Sequence, residues 1–213
     1  MNGAEALLRT AVAGGIEVCF ANAGTTEMPI VMALDTVPGI RPVLGLFEGV
    51  CTGAADGYGR LKGSPAMTLL HLGPGLGNGI ANLHNARRAG TPVFNVIGDH
   101  ASWHLAADAP LTMDIAALAG TVSGWQRQNA AAAELPRDTA AAIAAARSGR
   151  IATLVVPADH QGAACPEAPP AIPPFAFAPP DPRTVAEAAR LLRTAARPLL
   201  ILGGRALSAS GLT

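Results

Sequence analysis

The feature that most constrains this fold is the regular alternation of short apolar runs with helical segments, from the N-terminus to about Pro157. The apolar runs predict six strands, at Glu17–Ala21, Pro42–Leu46, Ala66–His71, Pro92–Ile97, Gly124–Gln128 and Ala152–Val156. The segments between them predict helices at about Gly3–Ala13, Thr26–Asp35, Gly49–Lys62, Leu76–Arg88, Thr112–Ala119 and Glu134–Arg147. This alternation predicts a three-layer α/β/α domain in which helices cover both faces of a mostly parallel, six-stranded sheet.

The composition supports a large buried core and argues against a nucleic-acid partner. Half of the 213 residues are hydrophobic, 14% are charged and only 4% are aromatic. That mix favours buried parallel strands covered by alanine-rich helices. Lys plus Arg equals Asp plus Glu, at 15 each, and no basic block occurs. Because neutralising phosphates needs clustered cations, we expect no nucleic-acid partner.

The cysteines and the hydropathy pattern bear on location. Cys19, Cys51 and Cys165 are far apart and form no CxxC pair, which is typical of reduced intracellular thiols. The N-terminal segment carries Glu5 and Arg9 without a long apolar run, so it does not resemble a signal peptide. No stretch reaches the roughly 20 apolar residues that span a bilayer. We therefore expect a cytoplasmic protein without a membrane partner.

The chain is predicted to contain three parts. Residues 1–160 form the α/β domain, and residues 161–182 form a proline-rich linker, because proline lacks the N–H that helices and central strands need. Residues 183–213 begin a second α/β domain, with a helix after Asp181 and a strand at Pro198–Leu202. One helix and one strand cannot bury a core, so we expect this unit to continue in a longer protein.

Two of the predicted strand ends lead into loops with candidate site residues, at the edge where open α/β sheets bind ligands. In the segment Asn22–Glu27, glycine allows a sharp turn, and Thr25 or Thr26 could cap the next helix, although a plain turn has the same composition. Glu48 follows the second strand among small and apolar neighbours. It is either a surface acid favoured by the helix dipole or a partly desolvated acid that exchanges protons near neutrality.

A third loop, His71–Gly79, carries glycines at alternate positions, which would allow close backbone approach to a ligand. It does not fit the dinucleotide fingerprint G-x-G-x-x-G/A, because the sixth position is Asn78, Ile80 or Asn82 in the three registers. No Gly-Lys-Ser/Thr follows, which excludes a phosphate-binding P-loop. A Rossmann-type oxidoreductase is therefore the weaker alternative.

The three loops together resemble a known family. The quoted residues of Glu17–Asp99 are EVCFANAGTTEMPIVMALD, LGLFEGVCTGAADGYGRLKG and LLHLGPGLGNGIANLHNARRAGTPVFNVIGD. They resemble the N-terminal, pyrimidine-binding domain of thiamine diphosphate (ThDP)-dependent 2-oxo acid decarboxylases and carboligases, such as acetolactate synthase and benzoylformate decarboxylase. The resemblance covers most of residues 1–160, and the proline-rich segment with Pro198–Gly204 resembles the family's entry into its central domain.

The resemblance implies roles for particular residues. Glu48 would bond N1′ of the aminopyrimidine and activate the cofactor. The ylid of the cofactor would then attack a 2-oxo acid. After CO2 leaves, the enamine would yield an aldehyde or be ligated to a second carbonyl. His71 would serve in catalysis and substrate binding, the alternative being a histidine bonded to backbone, and Thr25 would contact the substrate carboxylate. The implied cofactor contacts are Glu48, Gly73, Pro74, Gly75 and Asn78.

The resemblance also implies what lies outside this chain. In this family Mg2+ and the diphosphate are held by another domain through a Gly-Asp-Gly motif, which is absent here, since Gly98-Asp99-His100 lacks the third glycine. The intact enzyme, a lyase or transferase, would be a homodimer or tetramer with its active site at the subunit interface. Some members carry FAD, which no residue here specifically supports. A non-catalytic regulatory module with this fold is a further alternative, and His100 with His104 shows no third metal ligand.

Overall fold

The computed structural model describes residues 1–166, 170–172, 175–207 and 211, without the side chain of Arg205. The chain divides into two compact units, Met1–Phe175 and Ala176–Thr213. Among the described residues, every helix is too short or too polar to cross a bilayer.

The first unit is built on a six-stranded sheet whose paired strands are all parallel. Its strands are β1 (Val18–Asn22), β2 (Arg41–Leu44), β3 (Ala66–His71), β4 (Val93–Asp99), β5 (Trp125–Gln128) and β6 (Ile151–Pro157). They lie in the order β2-β1-β3-β4-β6-β5. The central strands β3, β4 and β6 are almost entirely buried, as expected for a parallel sheet covered on both faces. The predicted α/β fold is confirmed.

Helices cover both faces of this sheet. They are α1 (Gly3–Ala13), α2 (Met28–Thr36), α3 (Glu48–Lys62), α4 (Leu72–Ala89), α5 (Ile115–Gly120), α6 (Leu135–Arg147) and α7 (Ala158–Gly162). Buried residues of α1, α2 and α6 pack into one hydrophobic cluster, whereas those of α3, α4 and α5 pack into a second one. The predicted active-site residues belong to helices of the second cluster, because Glu48 lies in α3 and the glycine-rich stretch lies in α4.

A chain of polar side chains crosses the buried centre of the sheet. The Thr68 hydroxyl donates to Asn95 Oδ1 at 2.7 Å, and Asn95 Nδ2 donates to Thr153 Oγ1 at 3.0 Å. All three residues are fully buried on neighbouring strands, β3, β4 and β6. Because a slip of one residue would leave these groups without partners, the chain favours a single register.

The ends of the first unit are fastened to each other. Asn2 caps α1 in a capping box with Glu5, and Cys165 N donates to the carbonyl of Met1 at 3.0 Å. Ile172 packs against the cluster formed with α1 and α6, so the beginning of the proline-rich segment is attached to this domain. The three cysteines are buried and unpaired thiols.

The second unit contains helix α8 (Pro182–Thr194), which is capped by the carboxylate of Asp181 as its sequence predicts. The predicted strand at Pro198–Leu202 is absent from the described residues. Its four apolar side chains, Leu199 to Leu202, are exposed. A strand needs a neighbouring strand for its hydrogen bonds, and this unit offers none among its described residues, which explains why an apolar sequence here forms no β-structure.

Candidate active site

The predicted site residues gather at one edge of the sheet. Since the strands run parallel, their C-terminal ends share that edge. His71 is the last residue of β3, Asp99 is the last residue of β4, and Thr25 follows β1. Glu48 begins α3 after the turn that follows β2. This is the edge at which open α/β sheets place their ligands.

Glu48 has the position and the free hydrogen-bonding capacity of a ligand-binding acid. It is the first residue of α3, where unpaired N–H groups and the helix dipole favour a carboxylate. The residue is only 9% exposed. Its Oε2 accepts a hydrogen bond from Asn78 Nδ2 at 3.0 Å, whereas Oε1 faces Gly75, where an added Cβ would stand 3.3 Å away. A carboxylate offers about four acceptor positions, so Glu48 retains capacity for another donor.

The glycine-rich stretch after β3 is a helix, which corrects its prediction as a loop. Helix α4 begins at Leu72 rather than at Leu76, so its first two turns hold the predicted cofactor contacts Gly73, Pro74, Gly75 and Asn78. Glycine has a low intrinsic helix propensity. Here the absent side chains let α4 pack tightly on α3, since a Cβ on Gly79 would overlap Thr52. Tertiary packing therefore overrides local propensity.

The first residue of α4 has an unusual backbone conformation. Leu72 has φ 54°, in the left-handed region that residues with a Cβ seldom adopt. Its side chain is buried in the fold, with only 1% exposed. Such a conformation costs on the order of 1–3 kcal/mol and is found most often at functional sites. It joins His71 directly to the first turn of the helix.

His71 is held by a buried acid that the sequence analysis did not single out. Its Nδ1 lies 2.8 Å from Oε2 of Glu27, a fully buried residue, and 3.1 Å from the hydroxyl of Thr26. Glu27 Oε2 also accepts from the N–H of Gly24 at 2.7 Å, while Oε1 accepts from Thr26. An ionised Glu27 carboxylate can only accept hydrogen bonds, so His71 Nδ1 must donate to it. In a neutral His71 ring, Nε2 then remains as an acceptor. The alternative of a histidine bonded only to backbone does not match this geometry.

Two glycines create the room for this pair. A Cβ on Gly24 would overlap the His71 ring, and a Cβ on Gly98 would overlap the Glu27 carboxylate. The sequence did carry one signal for Glu27, because it lies three residues after Gly24, at capping-box spacing, and its carboxylate does bond the Gly24 N–H. Its contact with His71, 44 residues away, required the fold.

The threonines after β1 do not cap the next helix. Thr25 and Thr26 belong to a 3₁₀ turn, Thr25–Glu27, and α2 starts at Met28 without a side-chain cap. Thr26 instead bonds Glu27 and His71, and competition from these partners explains the difference. Thr25 is exposed at the sheet edge beside them. Its contact with a substrate carboxylate stays a prediction.

The Asp-Gly-Tyr-Gly-Arg part of the motif in α3 has a structural role in this chain. Asp56 forms a two-bond ion pair with Arg60, at 2.8 and 2.7 Å, and accepts a hydrogen bond from Thr91 at 2.7 Å. Burial acts to raise the pKa of Asp56, but the hydrogen bonds from Arg60 and Thr91 outweigh it and hold the pKa below its usual value. The hydrogen bond from Thr91 ties α3 to the segment before β4.

The histidines after β4 stack on each other rather than converge on an ion. The rings of His100 and His104 meet edge to face, with centroids 5.8 Å apart, and His104 also contacts Trp103. Across the described part of the chain, no group of three or more His, Cys, Asp or Glu side chains is arranged to hold a metal.

Comparisons with known proteins agree with this arrangement. The family model for the thiamine pyrophosphate enzyme, N-terminal TPP binding domain, matches residues 1–118. A Mycobacterium tuberculosis protein provisionally named acetolactate synthase large subunit IlvX is 56% identical over 214 residues, covering all of this chain and 41% of the relative. Benzoylformate decarboxylase of Pseudomonas aeruginosa is 32% identical over 130 residues, or 61% of this chain and 24% of that protein.

A solved structure shows the same fold. The Rhodococcus jostii RHA1 thiamine diphosphate-dependent 4-hydroxybenzoylformate decarboxylase superposes with a TM-score of 0.84 and 25% identity, over 96% of this chain and 40% of that one. The chain thus spans about two fifths of the length of the Mycobacterium tuberculosis relative and of the Rhodococcus chain. On the family match over more than half of its residues, the chain belongs to the ThDP-dependent enzymes, as their N-terminal cofactor-binding domain.

Proposed function

We propose that this chain supplies the pyrimidine-binding half of a ThDP- and Mg2+-dependent enzyme that decarboxylates a 2-oxo acid. The product is either released as an aldehyde or joined to a second carbonyl compound, as in acetolactate synthase. The observation that carries the proposal is the carboxylate of Glu48, nearly buried at a helix N-terminus and only partly occupied by Asn78.

The residues present fit the pyrimidine ring. Glu48 Oε1 faces the backbone of α4 at Gly75, where an added Cβ would stand 3.3 Å from it. In this role Glu48 shares a proton with N1′, and Asn78 fixes the carboxylate for that contact. When bound, ThDP supplies a nucleophilic carbon and an electron sink.

His71 and Thr25 form the substrate side of the proposed site. Because Glu27 holds Nδ1, the ring presents Nε2 for binding the 2-oxo acid or for moving a proton. Glu27 is a positioning residue in this scheme, acting through His71. Thr25 stands exposed on the adjoining 3₁₀ turn, where its hydroxyl can meet a substrate carboxylate.

A second domain and a second subunit complete the proposed enzyme. The Gly-Asp-Gly motif that would hold Mg2+ and the diphosphate is missing from this sequence. Next to Glu48, the segment 44–50 exposes Leu44, Leu46, Phe47 and Val50. Exposed apolar groups around a polar centre are typical of a surface that another protein surface covers. This supports a homodimer or tetramer with the site at the interface; a cytoplasmic location remains a prediction.

The proposal is tested with Glu48 variants of the complete enzyme. With ThDP, Mg2+ and a panel of 2-oxo acids, Glu48→Gln and Glu48→Ala should lower kcat by about 10²–10⁴-fold, the usual contribution of acid-base catalysis. Glu134→Gln, a half-exposed control outside the proposed site, should leave kcat unchanged. Near-normal turnover by Glu48→Gln would show that the assigned role is wrong.

Binding separates this function from its two alternatives. Titration of the wild-type enzyme with ThDP plus Mg2+ should show saturable binding, and titration with NADH should not. Binding of NADH alone would favour the oxidoreductase. Binding of neither, in the complete protein, would favour a regulatory module.

A further inference from the structure

A cavity of about 360 Å³ lies at the same sheet edge, lined by residues at the ends of β4 and β5 and at the start of α5. Its floor is formed by Asp99 together with the apolar side chains of Ile115 and Val155, all three buried. Its rim carries exposed polar residues, Asp114, Gln126 and Gln128. A cavity of this volume is at the small end of the range for metabolite sites.

The carboxyl group at the floor is only partly compensated by the protein. Asp99 is 7% exposed; Oδ1 accepts from the His100 N–H at 2.8 Å, and Oδ2 accepts a long bond of 3.3 Å from Gln128 Nε2. Burial raises the pKa of Asp99, and the nearby Glu27 raises it further, whereas the N–H and the ring charge of His100 act to lower it. No lysine or arginine is paired with Asp99 among the described ion pairs.

The one arginine that lines the cavity is committed elsewhere. Arg127 Nη1 donates to the fully buried Asp138 at 2.6 Å, and its guanidinium carbon lies 5.5 Å from the centre of the Trp125 ring. Its charge is therefore offset by Asp138, while Asp99 and Asp114 leave the lining negative. The carboxylates of Asp99 and Asp114 offer only acceptors, and the amides of Gln126 and Gln128 add acceptor oxygens beside their N–H donors.

We propose that this cavity binds the ammonium or guanidinium end of a small molecule, with Asp99 as the group that recognises it. A cation seated there offsets the cost of burying the Asp99 charge, and its apolar stem lies along Leu105 and Met113 of the lining. The wall at Met113 packs on Gly73, which places the cavity beside the proposed cofactor site. The cation is either the far end of a 2-oxo acid substrate, which rests on the proposed function, or a separate ligand.

Binding to the purified protein tests the charge recognition without catalysis. Calorimetric titration compares n-butylguanidinium with n-butylurea, its neutral isostere, and we expect the cation to bind about tenfold more tightly, equivalent to ~1.4 kcal/mol. Asp99→Asn should abolish the difference. Asp108→Asn, an equal charge change at an exposed left-handed position of the same segment that asparagine tolerates, should preserve it.

A second variant keeps the proposal testable if Asp99→Asn fails to fold. Gln126→Lys, at the exposed rim, should weaken n-butylguanidinium binding by placing a competing cation in the cavity. Equal binding of the two probes, retained discrimination in Asp99→Asn, or an equal loss in Asp108→Asn would each overturn the proposal.

Kinetics of the complete enzyme then identify the source of the cation. If it is the substrate, a 2-oxo acid with a terminal guanidinium should have a higher kcat/KM than a methyl-ended acid of the same length, and Asp99→Asn should remove that preference. If it is a separate ligand, that preference is absent while n-butylguanidinium still binds. Failure to turn over any 2-oxo acid would count against the proposed function and leave the binding result intact.

Discussion

Glu27 and Glu48 lie at the same edge of the sheet but are buried in different ways. Glu27 is fully buried, and its two oxygens accept from a backbone N–H, a hydroxyl and His71. Glu48 remains 9% exposed and accepts one side-chain hydrogen bond, from Asn78. A carboxylate whose acceptor positions are filled fixes its neighbours, whereas one with free positions can bind a ligand. The contrast favours a supporting role for Glu27 and agrees with the proposed ligand-binding role of Glu48.

The largest expected effect comes from removing Glu27, the carboxylate whose acceptor positions are filled. Glu27→Ala should lower the free energy of unfolding by about 3 kcal/mol, because it leaves the Gly24 N–H and His71 without their charged partner in a buried site. Glu48→Ala should change it by less than about 1 kcal/mol, the scale of a helix-terminus interaction. Urea unfolding of both variants measures the difference. Equal destabilisation would remove the distinction between the two acids.

The next effect concerns the single hydrogen bond on Glu48. Asn78→Ala should lower kcat of the complete enzyme about tenfold, as expected for losing one positioning bond to a charged group, at ~1.4 kcal/mol. Asn82→Ala provides the control on the same helix, because its amide donates to the carbonyl of Gly49 rather than to Glu48. That variant should lose stability but keep kcat. The assignment fails if both variants lose activity to the same extent.

The smallest effect comes from a third acid, Asp56, which sharpens the comparison because it is purely structural. Its folded-state pKa lies below the unfolded value of about 4, so its stabilisation is complete above that value and is lost as the pH falls through the folded pKa. Asp56→Asn should therefore cost about 1 kcal/mol at pH 7 and progressively less below pH 4. Thermal unfolding from pH 7 to pH 3 checks this. A stability difference between the wild type and Asp56→Asn that does not depend on pH would contradict this prediction.

Patterns within short segments predicted most of the fold. The strand Ala66–His71 and the helix Gly3–Ala13 have their predicted bounds, because apolar spacing and the Asn2–Glu5 cap are local signals. The start of α4 was placed four residues late, since packing between helices decides whether its glycines are helical. The strand predicted at Pro198–Leu202 is not formed, since its unit has no neighbouring strand among the described residues, and no local pattern reveals this.

The candidate site was predictable only in part for the same reason. Glu48 was singled out from its place after a strand and from its small neighbours, signals that fit a surface acid at a helix start equally well. Glu27 could not be assigned a task, since its partner His71 and the space left by Gly98 come from strands distant in sequence. Asp56 belongs to a sequence motif, and in the structure it bonds Arg60 of the same motif.

The left-handed backbone of Leu72 has one further consequence. It connects His71, at the end of β3, to the helix that carries Asn78, the partner of Glu48, so its two torsion angles help to set the angle between the strand and α4. A return to ordinary torsions would change that angle and alter the spacing of the proposed histidine and carboxylate. Residue 72 is therefore a point at which a small backbone change would uncouple the two sides of the proposed site.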